Sequence, residues 1–508
     1  MTSAIIDIAD VTRWLRDCAP AANLSLDTRR LQRGDIFLAC RGESGDGRLH
    51  IDQAIELGAQ AVLFEVSDDF HWNPEWTVAH FGVPELAKMA GRIAYEWYGK
   101  PDTGMFSVAV TGTNGKTSCT QWLGQALSRE GLATSVVGTL GIAQYRNGES
   151  SKFQSTGLTT PDPVQLFRYL AQQRGSKALA IEASSIGLAQ GRLDELHIDV
   201  AVLTNFTRDH LDFHGDMAAY EEAKAHLFDW PGLQHAVINL DDAMGLRRVA
   251  QIQSNRTGIQ IIGYTVEGTK HDHVPVLSAS DIRISQHGTN FQLSSPFGSG
   301  PVRTHLIGHF NVSNVLAIAG VLLVRGLSWT NVVRQIESLT AVAGRMEQLG
   351  GQDGPMAVID YAHTPDALEK ALQTLRQLAL ARQGKLWCVF GCGGDRDPGK
   401  RPLMTAAAFA ADHLVITSDN PRNENSSDII AQMMEGSSNF PSNKLQIIED
   451  RAQAILSAIR HAGKNDVVLI AGKGHEDYQE VKGKKLAFRD ADHAALALAT
   501  RATRFGGH

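Results

Sequence analysis

VTGTNGKTS, at Val110 to Ser118, carries the end of an apolar run, FSVAV, into a helical pattern, SCTQWLGQALSREG. Its residue types suit a polyphosphate. Gly112 and Gly115 let backbone N–H groups turn toward an anion, Lys116 brings charge to the β- and γ-phosphates, and Thr117 offers a hydroxyl to Mg²⁺. Thr113, Asn114 and Ser118 complete the turn. It departs from the common G-x-x-x-x-G-K-[ST] form, because Val110 stands five positions before Gly115. Glu182 closes another apolar run in KALAIEASS, and His210 and His214 stand four apart in TNFTRDHLDFHG. Two histidines so spaced can face one metal. No glutamate of the zincin kind lies between them, and Mg²⁺, which prefers oxygen ligands, fits better beside a phosphate loop than zinc does. Either histidine also reads as an ordinary structural residue. Lys224, in YEEAKAHLF, reads on sequence physics alone as a solvated helix lysine. HFNVSN puts the amides of Asn311 and Asn314 on one face of a helix start, GRME supplies Arg345, and VIDYAHTPDA supplies Asp360 and His363. TSDNPRNEN ends the run Leu414-Val415-Ile416 in an acid, an amide, a rigid proline and an arginine, which as a plain turn would be a proline turn with a helix-start acid.

These stretches need elements to hold them. From FSVAV onward, strand-length apolar runs (KALAIEAS, DVAVLTN, HAVINL) alternate with helical patterns, which indicates a mostly parallel sheet covered on both faces. His273 to Arg303 alternates instead and is Gly/Ser-rich, as a small antiparallel addition would be. After Gly344 a second set begins: MAVIDYAHTP, KLWCVFGCGGDRD, HLVITSDNPR, KLQIIED and DVVLIAGKGHE. The first hundred residues mix short strands (Asp35 to Ala39, Ala61 to Phe64) with a helix over Pro84 to Tyr98, and WYGKPDTGM reads as a linker. The predicted fold is α/β in three domains: a small mixed α/β domain over 1–100, a central phosphate-loop ATPase-like parallel sheet over 101–343, and a Rossmann-like doubly wound domain over 344–508. In such sheets ligands bind beyond the carboxyl ends of the strands, where all the unusual motifs fall.

Composition narrows the partners. A formal charge of −7, with no Lys/Arg block, argues against nucleic acid. The longest apolar run, Val315 to Val324, ends at Arg325, short of the about 20 residues a membrane helix needs. The opening MTSAIIDIADVTRW has no basic start or cleavage site, and the five cysteines form no framework. A cytoplasmic protein without membrane insertion is the expectation.

Taken in order, TGTNGKT, TTPDP, EASS, TNFTRDHLDFHG, HFNVSN, GRME, DYAHTPDAL, FGCGGDRDPGKRP, DNPR and AGKGHEDYQ resemble the motif series of the Mur ligase family. LDTRRLQRGDIFLACRG and the last three motifs point to the branch that adds the third amino acid of the peptidoglycan stem. The resemblance implies an ATP-dependent ligase, working as a monomer, that joins meso-diaminopimelate to the D-glutamate γ-carboxylate of UDP-MurNAc-L-Ala-D-Glu through an acyl phosphate. It implies catalysis by Lys116, Glu182, His210 and Lys224, with Thr117, Glu182, His210 and a carbamylated Lys224 around Mg²⁺. Carbamylation turns a repelling ammonium into an anionic oxygen ligand. ATP would be held by the phosphate loop with Asn311, Asn314, Arg345 and Asp360, and domain closure would complete the site. Leu26 and Thr28 would meet the uridine nucleotide, and Thr159, Thr160, Ser184, Gln190 and Arg192 the muramoyl dipeptide. Ile186 stands where the family usually has histidine, which puts an ancillary contact aside.

Diaminopimelate is lysine with a second carboxylate on the distal carbon. The resemblance assigns it to Arg396, Asp419, Asn420, Pro421, Arg422, Gly472 and Glu476. Arg422 would pair bidentately with that carboxylate, and Asp419 and Asn420 would bind the neighbouring ammonium. The competing readings are a lysine-adding ligase of the same family, a folylpolyglutamate synthetase-like enzyme, and a phosphate-loop regulatory ATPase, which leaves the turns of the last domain unexplained.

Overall fold

The computed structural model describes residues 7–42, 45–173, 175–255, 258–285, 287–438 and 440–505. Residues 1–6, part of the stretch read as lacking a leader, lie outside them. The chain divides into two compact units: Met1–Thr111 with Leu127–Ala201 and Glu222–Gln234, and Gly112–Ala126 with Val202–Glu221 and His235–His508.

The first unit opens with a parallel sheet of Leu24–Ser25, Ile36–Ala39, Ala61–Val66 and Ala79–Pro84, in chain order. Helix Leu86–Trp97 turns Leu86, Ala90, Ile93 and Ala94 inward, a stripe set by helical spacing. Ala79–Pro84 (AHFGVP) went unread, since glycine and proline disguise a strand; it lies at the sheet edge, where proline removes no ladder bond. The stretch read as a linker forms turns tied down at buried Asp102, which accepts the His197 N–H at 2.8 Å. A second set of strands follows, Phe106–Thr111, Ala178–Glu182 and Thr134–Gly138 pairing in parallel, then Gly141–Arg146 and Glu149–Ser150 antiparallel.

In the second unit His235–Asn239, Gln260–Thr265 and the start of Val276–Ser285 pair in parallel. Val276–Ser285, Gly288–Ser295 and Gly298–Thr304 then form the antiparallel addition read from the alternating pattern. Helix His309–Val324, apolar on every side beyond Asn314, packs on these parallel strands. A six-stranded sheet runs Glu347–Gly350, Met356–Asp360, Val467–Ala471, Leu386–Phe390, His413–Ile416, Leu445–Ile447, parallel except at its first strand. Val358, Leu469, Phe390 and Ile416 face one buried layer; Ala357, Ile359, Val468, Ile470 and Val389 face the other. Burial on both faces accounts for the near-continuous apolar runs and makes the sheet doubly wound. The edge strand Glu347–Gly350 and the hairpin Tyr478–Val481 with Lys484–Ala487 were not legible, being short and polar. Among the described residues no helix is long and apolar enough to cross a membrane.

Candidate active site

The loop from Gly112 to Gly115 is shaped by contacts that only glycine permits. Gly112 sits at φ +141, where a Cβ would fall on Thr204 Oγ1; at Gly115, φ +88, it would lie 2.6 Å from Asn314 Oδ1. Thr113 N–H donates to Asn205 O at 2.8 Å, Asn114 N–H to Asn205 Oδ1 at 2.9 Å, and Thr204 Oγ1 to Asn114 O at 2.6 Å. Lys116 Nζ is held over the loop by the carbonyls of Gly112 (2.8 Å) and Thr113 (2.9 Å). Thr117 and Ser118 are buried at the start of helix Lys116–Arg129. Thr117 Oγ1 accepts from Arg345 Nη2 at 3.0 Å, so the GRME turn meets the loop.

Arg345 stacks 4.4 Å from the Tyr361 ring centroid, and the next residue, Met346, is strained at φ 51. The Met346 N–H donates to Asp360 Oδ2 at 2.8 Å and the Ala362 N–H to Oδ1 at 2.9 Å. Burial raises the Asp360 carboxyl above the usual carboxylate range, against the opposing pull of Arg345 and these two donors. Asn314 lies against Gly115, whereas Asn311 Nδ2 donates to Ile307 O, just before its helix, at 2.8 Å. His363 Nδ1 lies 2.8 Å from Tyr361 O, and burial, then Lys400, pushes its imidazole down to about 4.

In the first unit Glu182 is buried at the end of its strand and accepts Thr139 N–H at 2.8 Å and the Thr139 hydroxyl at 3.1 Å. Thr139 Oγ1 lies 3.1 Å from Thr159 Oγ1. Thr160 Oγ1 donates to Glu182 O at 2.7 Å and lies 2.8 Å from Ser184 Oγ, while Arg192 donates to Thr160 O at 2.7 Å and to Gln190 Oε1 at 2.5 Å. Five residues expected at the dipeptide thus share one network with Glu182. Ile186 is half-buried in the following short helix, Ser185–Ala189. Leu26 is half-buried, Thr28 donates to Gln53 Oε1 at 2.9 Å, and Arg30 reaches Thr156 O at 2.8 Å.

Lys224 overturns the bland reading of a solvated lysine: it is 1 % exposed. His210 holds left-handed φ 52 at the start of helix Leu211–His214, a strained backbone for a non-glycine, with its ring Nε2 3.6 Å from Asp209 Oδ2.

The turns beyond the strands of the six-stranded sheet assemble a polar cluster. Asp419 and Asn420 are buried, and Arg422 is held at φ 50. Arg422 Nη1 donates to Gly394 O at 2.7 Å, and its Nε lies 3.6 Å from Glu480 Oε2. Pro421 is buried against Gly394, where its carbonyl would stand 2.0 Å from any added Cβ. Gly472, at φ +113, leaves room for Asp419, whose Oδ2 would meet a Cβ at 2.5 Å. Asn420 Nδ2 donates to Glu476 Oε2 at 2.8 Å. Arg396 is exposed and bonds the Asp395 carbonyl at 3.1 Å.

Three groups escaped the sequence reading. Lys473 is wholly buried beside Asn420 and Glu476; a lysine between Gly472 and Gly474 after an apolar run, as in the phosphate loop, was the available signal. Arg401 pairs with Glu424 at 2.8 Å, and Arg451 with Asp490 at 2.7 Å, through partners too distant in sequence to be read. The second unit thus holds a glycine-shaped loop with a lysine over it, an arginine on the loop's threonine and a cluster of buried charged and amide side chains.

Three family models match the chain: "Mur ligase family, catalytic domain" over residues 21–98, "Mur ligase middle domain" over 110–322, and "Mur ligase, glutamate ligase domain" over 344–474. A relative from Janthinobacterium sp. (strain Marseille), UDP-N-acetylmuramoyl-L-alanyl-D-glutamate–2,6-diaminopimelate ligase, is 59 % identical over 98 % of both chains. A solved structure of a ligase of that name is 35 % identical, with TM-score 0.62 over 94 % of this chain and 95 % of the other. MurF ligase from Thermotoga maritima in complex with ADP shares the fold, with TM-score 0.65 at 19 % identity over 95 % of this chain and 98 % of its own.

Proposed function

The chain belongs to the Mur ligase family, and on that premise we propose that it is an ATP-dependent ligase joining meso-2,6-diaminopimelate to the D-glutamate γ-carboxylate of UDP-MurNAc-L-Ala-D-Glu. The observation that carries this reading is the polar cluster of Asp419, Asn420, Arg422 and Glu476 beyond the strand ends, in a chain that also holds a phosphate loop with Arg345 on its threonine.

A carboxylate and an amine alone form a salt, so the carboxylate must first be activated. The γ-phosphoryl group of ATP passes to a carboxylate oxygen and ADP leaves. The amine lone pair then attacks the acyl carbon, the C–N bond forms, the C–O bond to phosphate breaks, and the nitrogen gives up its proton. Lys116 and the loop N–H groups hold the phosphates, Arg345 and Asp360 with Asn311 and Asn314 hold the nucleotide, and preorganised charge of this kind is the largest expected share of catalysis. The hydroxyl of Thr117 and the buried Glu182 carboxylate are hard oxygen donors of the type Mg²⁺ takes, and with His210 and a carbamylated Lys224 they are the residues assigned to it. Bound there, Mg²⁺ would offset phosphate charge.

Leu26 and Thr28 are assigned to the uridine nucleotide, Thr159, Thr160, Ser184, Gln190 and Arg192 to the muramoyl dipeptide, and Arg396, Asp419, Asn420, Pro421, Arg422, Gly472 and Glu476 to diaminopimelate. Residues 1–100, 101–343 and 344–508 would serve the nucleotide-sugar, ATP and the amino acid in turn, in a cytoplasmic monomer. Hydroxylamine added with ATP, Mg²⁺ and UDP-MurNAc-L-Ala-D-Glu should trap the acyl phosphate as a hydroxamate without diaminopimelate. A trap requiring the amino acid contradicts the order of steps, and none under any condition contradicts the function.

A further inference from the structure

The strand Val467–Ala471 ends in a turn whose two glycines, Gly472 at φ +113 and Gly474 at φ +53, throw Lys473 into the protein. Its side chain is 0 % exposed. An ammonium so placed needs partners, and it has oxygen on three sides: Asn420 Oδ1 at 3.0 Å, Glu476 Oε2 at 2.9 Å and Asp419 Oδ1 at 3.9 Å. Asn420 Oδ1 also accepts the Glu480 N–H at 2.9 Å, so both acceptor directions of that amide are taken. Its orientation is therefore fixed, with Nδ2 toward Glu476. One cation ties the turn after His413–Ile416 to the turn after Val467–Ala471.

We propose that Lys473 is a specificity-determining positioning residue: a buried counter-charge shared by Asp419 and Glu476 that sets the pocket for a carbon bearing both an ammonium and a carboxylate. Shared between two carboxylates, Lys473 leaves one unit of negative charge for the incoming ammonium, while Arg422 faces the carboxylate. Without it two units remain, which hold a lone ammonium more strongly and repel the substrate carboxylate. Its partners Asp419, Asn420 and Glu476 lie in the turns of the six-stranded sheet and not in the phosphate loop, so activation should be separable from amine selection.

The inference rests on the diaminopimelate reading, and the test separates the two. Lys473→Met keeps most of the volume and removes the charge; Lys473→Gln keeps a donor for Asn420 and is the gentler replacement. Both are assayed in the full chain for KM of each substrate, for hydroxamate trapping without amino acid, and for turnover with meso-diaminopimelate and L-lysine. Lys473→Met should raise KM for meso-diaminopimelate at least about 100-fold, as loss of one partner of a buried charge pair does, with the other two KM values and the trapping rate within about twofold. Its preference for diaminopimelate over lysine should fall at least about tenfold, and Lys473→Gln should fall between it and the wild type. Wild-type KM and preference in both variants would overturn the proposal. So would loss of folding or trapping in both, which would make Lys473 structural only. Absence of trapping in the wild type would instead refute the ligase reading.

Discussion

Arg422 is held in the left-handed region at φ 50, with one guanidinium nitrogen on Gly394 O and Nε 3.6 Å from Glu480. Proline before it and backbone strain at it fix where the fork points. Arg422→Ala should therefore raise KM for meso-diaminopimelate about 100-fold or more and leave that for the nucleotide-sugar within about twofold, as steady-state kinetics with each substrate varied will read. Equal loss for both would mean that Arg422 supports the fold. DNPR was singled out in the sequence because an acid, an amide and an arginine at a strand end have no core to serve. Lys473 was not, since a lysine in a glycine turn looks the same whether it faces water or two carboxylates. Lys224 shows the same limit: helix spacing gives no sign that its face is covered.

At the scale of elements, the turns are held by groups far from them in sequence. Arg451 and Asp490, both fully buried, form a two-bond pair, and Arg451 also donates to Ser418 O at 3.2 Å and Ala471 O at 2.9 Å. Those carbonyls immediately precede Asp419 and Gly472. Asp490→Ala would leave a buried guanidinium unpaired, at a cost of about 3–5 kcal/mol. The urea midpoint of unfolding should fall accordingly, and an unchanged midpoint would contradict this view of the pair. Gly472→Ala should weaken diaminopimelate binding, because the new Cβ would stand 2.5 Å from Asp419 Oδ2; unchanged kinetics would refute it. The parallel strands were readable from apolar runs buried on both faces. The polar edge strand and the closing hairpin, which lack such runs, were not.

For the whole molecule, acid should act on stability through histidines kept neutral. Burial pushes His363 down to about 4 and His475 to about 3, in each case aided by neighbouring cations. A depressed folded pKa means that the unfolded chain takes up the proton first, so this stability is present above about pH 6.5 and is lost as pH falls toward the folded values. With the His363 ring partly exposed, its share between about pH 7 and 5 is roughly 1 kcal/mol, and His363→Asn should flatten that part of the stability profile. A slope unchanged by the substitution would place the effect elsewhere. The proposed ligase activates the D-glutamate γ-carboxylate with ATP and selects the amine by its second carboxylate. Phosphate release with ATP, Mg²⁺ and UDP-MurNAc-L-Ala-D-Glu, run with meso-diaminopimelate against L-lysine, tests it most directly: kcat/KM about 10⁴-fold higher for meso-diaminopimelate is the predicted result, and comparable turnover of the two would contradict it.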